Sequence, residues 1–176
     1  MRYAIAAADC PADVIGVRKI ISGGQTGVDR AALRAALACG LQIGGWCPPG
    51  MAAEDGTVPD EFGLRETPEE RSENAPDVAR SQRTEWNVRD SDGTLVLTVG
   101  NDVAFDAGTQ WTIACAHRFA KPVLCCDASN LEEVRRAREW VAEHSSITLN
   151  VAGPSENTAP GIGARAEEFM RMLLAP

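Results

Sequence analysis

The stretch Ser22–Arg30, which reads S-G-G-Q-T-G-V-D-R, decides how this chain folds. It follows a short apolar run, 17–21, and precedes an alanine- and leucine-rich run, 31–39, that stops at Gly40. This order is typical of a strand, a glycine loop and a helix. Glycines let the backbone approach a ligand closely, and a helix N-terminus attracts anions. The stretch therefore predicts a phosphate site, although a tight turn without a ligand uses the same glycines.

Length and charge limit the classes of function. The 176 residues predict a single domain, 18–176, preceded by an N-terminal extension, 1–17, that carries little pattern. A net charge of −8 and a pI near 4.8 argue against partners such as nucleic acid or an anionic membrane. The chain also contains no apolar run of the roughly 20 residues that a membrane span needs.

The six cysteines form no C-x-x-C pair, and the first residues contain no secretory signal. We therefore expect reduced, mostly buried thiols in a cytoplasmic protein. His117 and His144 have no partner at the spacing of metal ligands, so no metal site is predicted.

Apolar runs alternate with helical patterns along the rest of the chain. The cleanest strand, 94–99, is apolar and β-branched, as expected for a strand buried on both faces. Further strands are predicted at 17–21, 41–46, 123–126 and 147–151, and helices at 31–39, 78–89, 110–120, 131–144 and 167–174. The alternation predicts an α/β fold with a mainly parallel sheet and helices on both faces.

The carboxyl ends of parallel strands share one edge of the sheet, where ligands bind in such folds. The loops predicted at that edge are 22–30, 46–47, 106–109 and 153–156. The long irregular segment 47–76 is interpreted as a wall or lid over the site, with disorder as the alternative. The glycine loop lacks both G-x-x-x-x-G-K-[ST] and G-x-G-x-x-G, which argues against a Walker-type ATPase and against NAD dependence.

Several motifs together resemble one known family. They are the loop 22–30, G-W-C-P at 45–48, A-E-D-G at 53–56, R-T-x-x-N-V at 83–88, D-S-D-G-T at 90–94 and N-V-A-G-P at 150–154. From about Lys19 to the C-terminus the chain resembles the "putative molybdenum carrier" family, the circularly permuted YpsA-like branch of the SLOG superfamily, which is related to LOG proteins.

The resemblance implies a Rossmann-like three-layer sandwich that binds a nucleotide or another phosphate-bearing, nucleotide-derived small molecule. It also implies a homo-oligomer, and the family name makes the pterin phosphate of molybdenum cofactor a candidate ligand. Two departures from the related patterns stand out. Thr112 occupies the position of the catalytic Glu of LOG phosphoribohydrolases, and Ser155-Glu156-Asn157 replaces an expected basic residue.

Because Thr112 cannot replace a carboxylate, we predict a ligand-binding or carrier protein with no assigned catalytic residue; the alternative is a LOG-like nucleotide 5′-monophosphate phosphoribohydrolase. Some of the predicted ligand-binding residues have a second interpretation. Arg30 would instead form an ion pair with Asp29 or Glu54, and Arg83 would lie on a solvated helix face. Trp46 and Cys47 would serve in structural packing. The predicted ligand-binding residues are Gly23, Gly24, Gln25, Thr26, Gly27, Asp29, Arg30, Trp46, Cys47, Glu54, Arg83, Asn87, Gly108, Thr109, Gly153 and Pro154.

Overall fold

The computed structural model of the chain describes residues 15–100 and 106–175. Most of the predicted N-terminal extension, 1–17, therefore lies outside the described residues. In chain order the strands and helices are β1 (Lys19–Ile21), α1 (Val28–Ala38), β2 (Gln42–Gly44), β3 (Trp46–Cys47), β4 (Ala52–Ala53), β5 (Gly56–Thr57), β6 (Arg65–Glu66), α2 (Ser81–Arg89), β7 (Gly93–Thr98), α3 (Ala107–Arg118), β8 (Val123–Asp127), α4 (Glu133–Glu143), β9 (Thr148–Ala152) and α5 (Ile162–Leu174).

A five-stranded sheet in the order β2-β1-β9-β7-β8 forms the centre of the fold, and every pairing in it is parallel. All residues of β7 are buried, which confirms the prediction from its continuous apolar run. Leu95, Val96 and Leu97 have no solvent exposure. Burial of each such side chain contributes about 1.5–3 kcal/mol of transfer free energy.

Helices cover both faces of the sheet, as predicted. The apolar sides of α1, α4 and α5 join the main core, where Ala32, Ala137 and Phe169 are fully buried. The opposite face carries α2 and α3, which bury Val88, Cys115 and Ala116. This is the predicted three-layer α/β sandwich. No helix within the described ranges is long and apolar enough to cross a membrane.

The predicted strand 41–46 is wrong at its end, because the chain leaves the sheet at Gly45. The φ of Gly45 is 131°, and a Cβ there would lie 2.2 Å from the carbonyl oxygen of Ser22. After Gly45 the backbone pairs with β6 instead, through Trp46 and Cys47. The segment predicted to be irregular thus contains β4–β6 and the second residue of β3. Together with Leu33 of α1 it forms a small core that includes Cys47, Val58, Phe62 and Leu64.

The last helix also differs from the prediction, since α5 begins at Ile162 rather than at residue 167. Glu156 holds this earlier start: its carboxylate accepts hydrogen bonds from the backbone N–H groups of Gly161 and Gly163. Gly161 itself has a φ of 83°. Glycine has a low helix propensity, so the sequence around Gly161 and Gly163 gives little indication that a helix starts there.

Candidate functional site

A cavity of about 200 Å³ opens at the carboxyl ends of the parallel strands, and we call it the edge cavity. It lies where β9 and β7 are followed by helices on opposite faces of the sheet, which is the usual place for a ligand in α/β folds. Its lining residues are Gln25, Val78, Ala79, Arg80, Arg83, Thr84, Asp106, Ala107, Gly108, Thr112, Ala152, Gly153, Ser155 and Thr158.

Two arginines from the start of α2 line the edge cavity. Arg80 has the left-handed φ of 56°, which is strained for a residue with a side chain. Within the described residues its hydrogen bonds use the backbone: the N–H donates to Glu70, and the carbonyl accepts from the Thr84 hydroxyl. The side chain of Arg83 is 15% exposed, and its buried Nε–H has no partner among the described residues. Both guanidinium groups therefore retain unused hydrogen-bond donors beside the cavity.

Asp29 lies buried behind Arg83. Its Oδ2 atom is 3.0 Å from Nη1 of Arg83 and also accepts a hydrogen bond of 3.2 Å from the backbone N–H of Gln25. Burial raises the pKa of the Asp29 carboxyl, although the Arg83 charge opposes this shift. Gly23 makes the pair possible, because a Cβ at this position would lie 2.0 Å from Nη1 of Arg83.

The N-terminus of α3 forms another wall and is capped by a carboxylate. Asp106 accepts hydrogen bonds from the backbone N–H groups of Gly108 and Thr109, at 3.2 and 3.1 Å, and from the Thr109 hydroxyl. One turn later, the hydroxyl of Thr112 donates to the carbonyl oxygen of Gly108 at 2.9 Å. The backbone N–H groups of Gly108 and Thr109, two of the predicted ligand-binding residues, thus already have an acceptor in Asp106.

Four of the predicted residues line a different cavity, of about 570 Å³, between α1, α5 and the β4–β5 hairpin. These residues are Thr26, Gly27, Arg30 and Glu54. The guanidinium of Arg30 makes a two-point ion pair with Asp55, at 2.6 and 2.7 Å, and Nε donates to the carbonyl oxygen of Gly24 at 3.0 Å. Arg30 therefore connects the glycine loop to the hairpin, and its pairing partner is neither of the two that the sequence suggested.

Glu54 joins the glycine loop to the loop after β9. Its carboxylate accepts hydrogen bonds from the hydroxyl of Thr26 and, at 3.1 Å, from the backbone N–H of Asn157. Burial favours a higher pKa for Glu54, but hydrogen bonds from Thr26, Ser155 and Asn157 outweigh it and lower the pKa below its ordinary value. The Gln25 side chain adds contacts to both Ala52 and the Glu54 backbone.

Trp46, Cys47 and Asn87 line neither cavity. The Asn87 amide accepts from the N–H of Trp46 and donates to its carbonyl oxygen, both at 2.9 Å. The Trp46 ring packs edge-on against Trp86, with Arg65 4.1 Å above the Trp46 ring centre. Cys47 has no solvent exposure, and burial raises the pKa of its thiol.

Comparison with known proteins gives a consistent assignment. The model of the circularly permutated YpsA SLOG family matches residues 20–174. The chain belongs to this family. It is also similar to the crystal structure of a "Putative molybdenum carrier protein" from Syntrophus aciditrophicus SB, with 36% sequence identity, 91% of this chain and 96% of that chain covered, and a TM-score of 0.81. No curated protein matches the chain.

In this member of the YpsA SLOG family, the predicted residues thus lie in several different places. Gln25, Arg83, Gly108 and Gly153 line the edge cavity, and Gly23, Asp29 and Thr109 support it from behind. Gly24 packs instead towards Val58 and Leu64, where a Cβ would lie 2.7 Å from each side chain. The carbonyl oxygen of Pro154 accepts from the N–H of Val28 at the start of α1. The remaining predicted residues occupy the larger cavity or the Trp46 region.

Several lining residues were not predicted to bind a ligand. The Asp106 position had a readable signal, because an Asp followed by Gly108 and Thr109 before a helical run is typical of an N-cap. Arg80 had no such signal, since its position follows from a left-handed backbone conformation. The other polar lining residues in this group are Thr84, Thr112, Ser155 and Thr158.

Proposed function

We propose that this protein binds a phosphate-bearing nucleotide or nucleotide-derived ligand, with the phosphate in the edge cavity against Arg80 and Arg83. The observation that carries the proposal is the unused donor capacity of these two guanidinium groups: Nε of Arg83 is buried without a partner among the described residues, and Arg80 makes hydrogen bonds there through its backbone. A buried donor without an acceptor is costly, and a phosphate oxygen would supply that acceptor.

The similar protein from Syntrophus aciditrophicus is named a molybdenum carrier, so the pterin phosphate of molybdenum cofactor is one form of such a ligand. The donors around the edge cavity are guanidinium, amide and hydroxyl groups, which suit phosphate oxygens. The residues present therefore fit the phosphate end of the cofactor. A cavity of about 200 Å³ would enclose that end while the pterin lay outside it.

Thr112 favours holding the ligand over cleaving it. It lines the edge cavity at the position of the LOG glutamate, and its hydroxyl proton is donated to the carbonyl oxygen of Gly108. A hydroxyl in this state is a poor general acid or base at neutral pH. We therefore propose binding without turnover, which an assay for free base released from AMP tests directly.

The binding test is isothermal titration of the purified protein with AMP, alongside native mass spectrometry of freshly prepared material to identify any co-purifying ligand. Arg80→Gln removes the cation but keeps a polar side chain, and we expect it to weaken AMP binding about tenfold or more. Arg89→Gln on the same helix is the matched control, because Arg89 pairs with Asp90 and lies over Trp86. Equal affinity in both variants and the unmodified protein would refute the proposal.

A further inference from the structure

The edge cavity is lined by groups of opposite charge. Arg80 and Arg83 contribute cations from α2, and Asp106 contributes a carboxylate from the start of α3. Among the described residues Asp106 forms no ion pair with either arginine, and its carboxylate instead accepts from the N–H groups of Gly108 and Thr109. A ligand in this cavity therefore meets two guanidinium groups and a carboxylate.

Asp106 keeps a phosphate away from the N-terminus of α3. A helix N-terminus ordinarily attracts phosphate through its free N–H groups and its positive partial charge. Here the N–H groups of Gly108 and Thr109 donate to the Asp106 carboxylate. A phosphate at this position would have to displace the Asp106 carboxylate from these N–H groups, and the negative charge of that carboxylate would repel it. Arg80 and Arg83 are thus the groups that would bind the phosphate.

The Asp106 carboxylate retains capacity to accept one more hydrogen bond. A carboxylate offers about four acceptor positions. Within the described ranges, the donors already present are the N–H groups of Gly108 and Thr109 and the Thr109 hydroxyl. Neutral hydroxyls of Ser155 and Thr158, which share a hydrogen bond of 3.1 Å, complete the same cavity wall. A hydroxyl group of a ligand suits this part of the cavity lining.

We propose that Asp106 is a specificity-determining residue that selects ligands with hydroxyl groups next to their phosphate, namely phosphorylated sugars, free or as the sugar-phosphate part of a nucleotide. The inference rests on the proposed function and specifies its ligand class. The cavity volume of about 200 Å³ supports it, because pockets for drug-sized ligands begin near 300 Å³. A sugar phosphate fits within this space, and the base of a nucleotide lies outside.

The test compares three probes by isothermal titration: inorganic phosphate, ribose 5-phosphate and AMP. The unmodified protein should bind ribose 5-phosphate about tenfold more tightly than phosphate, as expected for one added hydrogen bond to a charged group. Asp106→Asn keeps a good N-cap but removes the charge and the spare acceptor position. In this variant the ribose 5-phosphate preference should be lost, and phosphate itself should bind more tightly.

Asp60→Asn is the control, because it changes the net charge equally at an exposed position that does not line the cavity. If Asp106→Asn fails to fold, Asp106→Ser is used, since serine is also a good N-cap. A preference that is unchanged in the Asp106 variant, or lost equally in the control, overturns the inference. Tight binding of AMP with no binding of ribose 5-phosphate also overturns it, because the base would then occupy the cavity.

The outcomes separate the inference from the proposed function. If the unmodified protein binds none of the probes, both fail together. If it binds ribose 5-phosphate and loses this binding in Arg80→Gln, but the Asp106 variant keeps the sugar preference, the proposed function stands and the inference fails. Comparable binding of AMP and ribose 5-phosphate identifies the nucleotide as a source of the ligand, and binding of ribose 5-phosphate without AMP identifies the free sugar phosphate.

Discussion

Asp29 and Arg83 meet above Gly23, although they are separated by 54 positions in the sequence. The Oδ2 atom of Asp29 lies 3.0 Å from Nη1 of Arg83, and a Cβ on Gly23 would lie 2.0 Å from that same nitrogen. The positions of Gly23, Asp29 and Arg83 therefore depend on one another. It holds α2 against the glycine loop and fixes the guanidinium at the wall of the edge cavity.

Removal of the cation should destabilise the protein in a pH-dependent way. Arg83→Ala leaves the Asp29 carboxylate, only 2% exposed, without its counter-charge, and we expect a loss of about 3 kcal/mol at neutral pH. The pKa of Asp29 is already raised by burial, and without Arg83 it rises further. Since the folded state then binds the proton more tightly than the unfolded state, the variant recovers stability as the pH falls through this pKa. Urea unfolding at neutral and mildly acidic pH measures both effects.

The control for this variant is Arg89→Ala, which breaks a more exposed pair with Asp90 on the same helix. Its cost should be about 1 kcal/mol or less. A loss in Arg83→Ala that does not change with pH would show that Asp29 is not the group left unpaired.

A single methyl group at Gly23 should displace Arg83. The added Cβ of Gly23→Ala would lie 2.6 Å from the guanidinium carbon of Arg83 and 2.8 Å from Oδ2 of Asp29, so the pair cannot keep its geometry. We expect AMP binding about tenfold weaker or worse, together with a lower melting temperature. Gly44→Ala is the control, because its Cβ meets the flexible end of Lys19 at 3.2 Å. Unchanged AMP binding in Gly23→Ala would contradict the placement of the ligand beside Arg83.

The sequence was sufficient to predict the layers of the fold, since apolar runs such as 94–99 have no stable place except the centre of a parallel sheet. Tertiary contacts decided the rest. The strand predicted at 41–46 ends early because the backbone of Gly45 passes too close to Ser22 for any other residue. The start of α5 depends on Glu156, whose carboxylate binds N–H groups that no local pattern identifies.

Only part of the candidate site was predicted, because tertiary contacts also decide where the side chains of the loop motif point. Residues 29 and 30 are neighbours in the loop motif, but successive helical residues point about 100° apart. Asp29 therefore faces Arg83, and Arg30 faces Asp55 on the hairpin. Adjacent positions in a sequence motif do not show that the two side chains point in different directions. Arg80 was missed because its place at the cavity depends on a left-handed backbone angle.

Glu54 should contribute stability that is lost in acid. Although burial opposes it, hydrogen bonds hold the pKa of Glu54 below the ordinary value of 4.5, so the unfolded state binds the proton more tightly. Its contribution is therefore present above this ordinary value and disappears as the pH falls through the folded-state pKa. Glu54→Gln should cost about 1 kcal/mol or less at neutral pH, because solvent screens the group. Thermal unfolding across this pH range should show the two curves converging in acid.

Glu61→Gln, at an exposed position in the same segment 47–76, removes a carboxylate of the same type and is the control for Glu54. If the Glu54 variant instead diverges further from the unmodified protein in acid, the hydrogen bonds from Thr26 and Asn157 do not stabilise its charged form.

Thiol labelling should separate the cysteines by burial. Cys47, Cys115 and Cys126 are almost completely buried, and burial raises the pKa of Cys115 and Cys126 to about 12. Since the thiolate is the reacting species, these three should be alkylated only when the protein opens. Of the cysteines in the described ranges, Cys39 and Cys125 are partly exposed and should react before these three under native conditions. Peptide mapping by mass spectrometry after iodoacetamide treatment, with and without urea, assigns each site. Rapid native labelling of Cys47 would contradict its structural role.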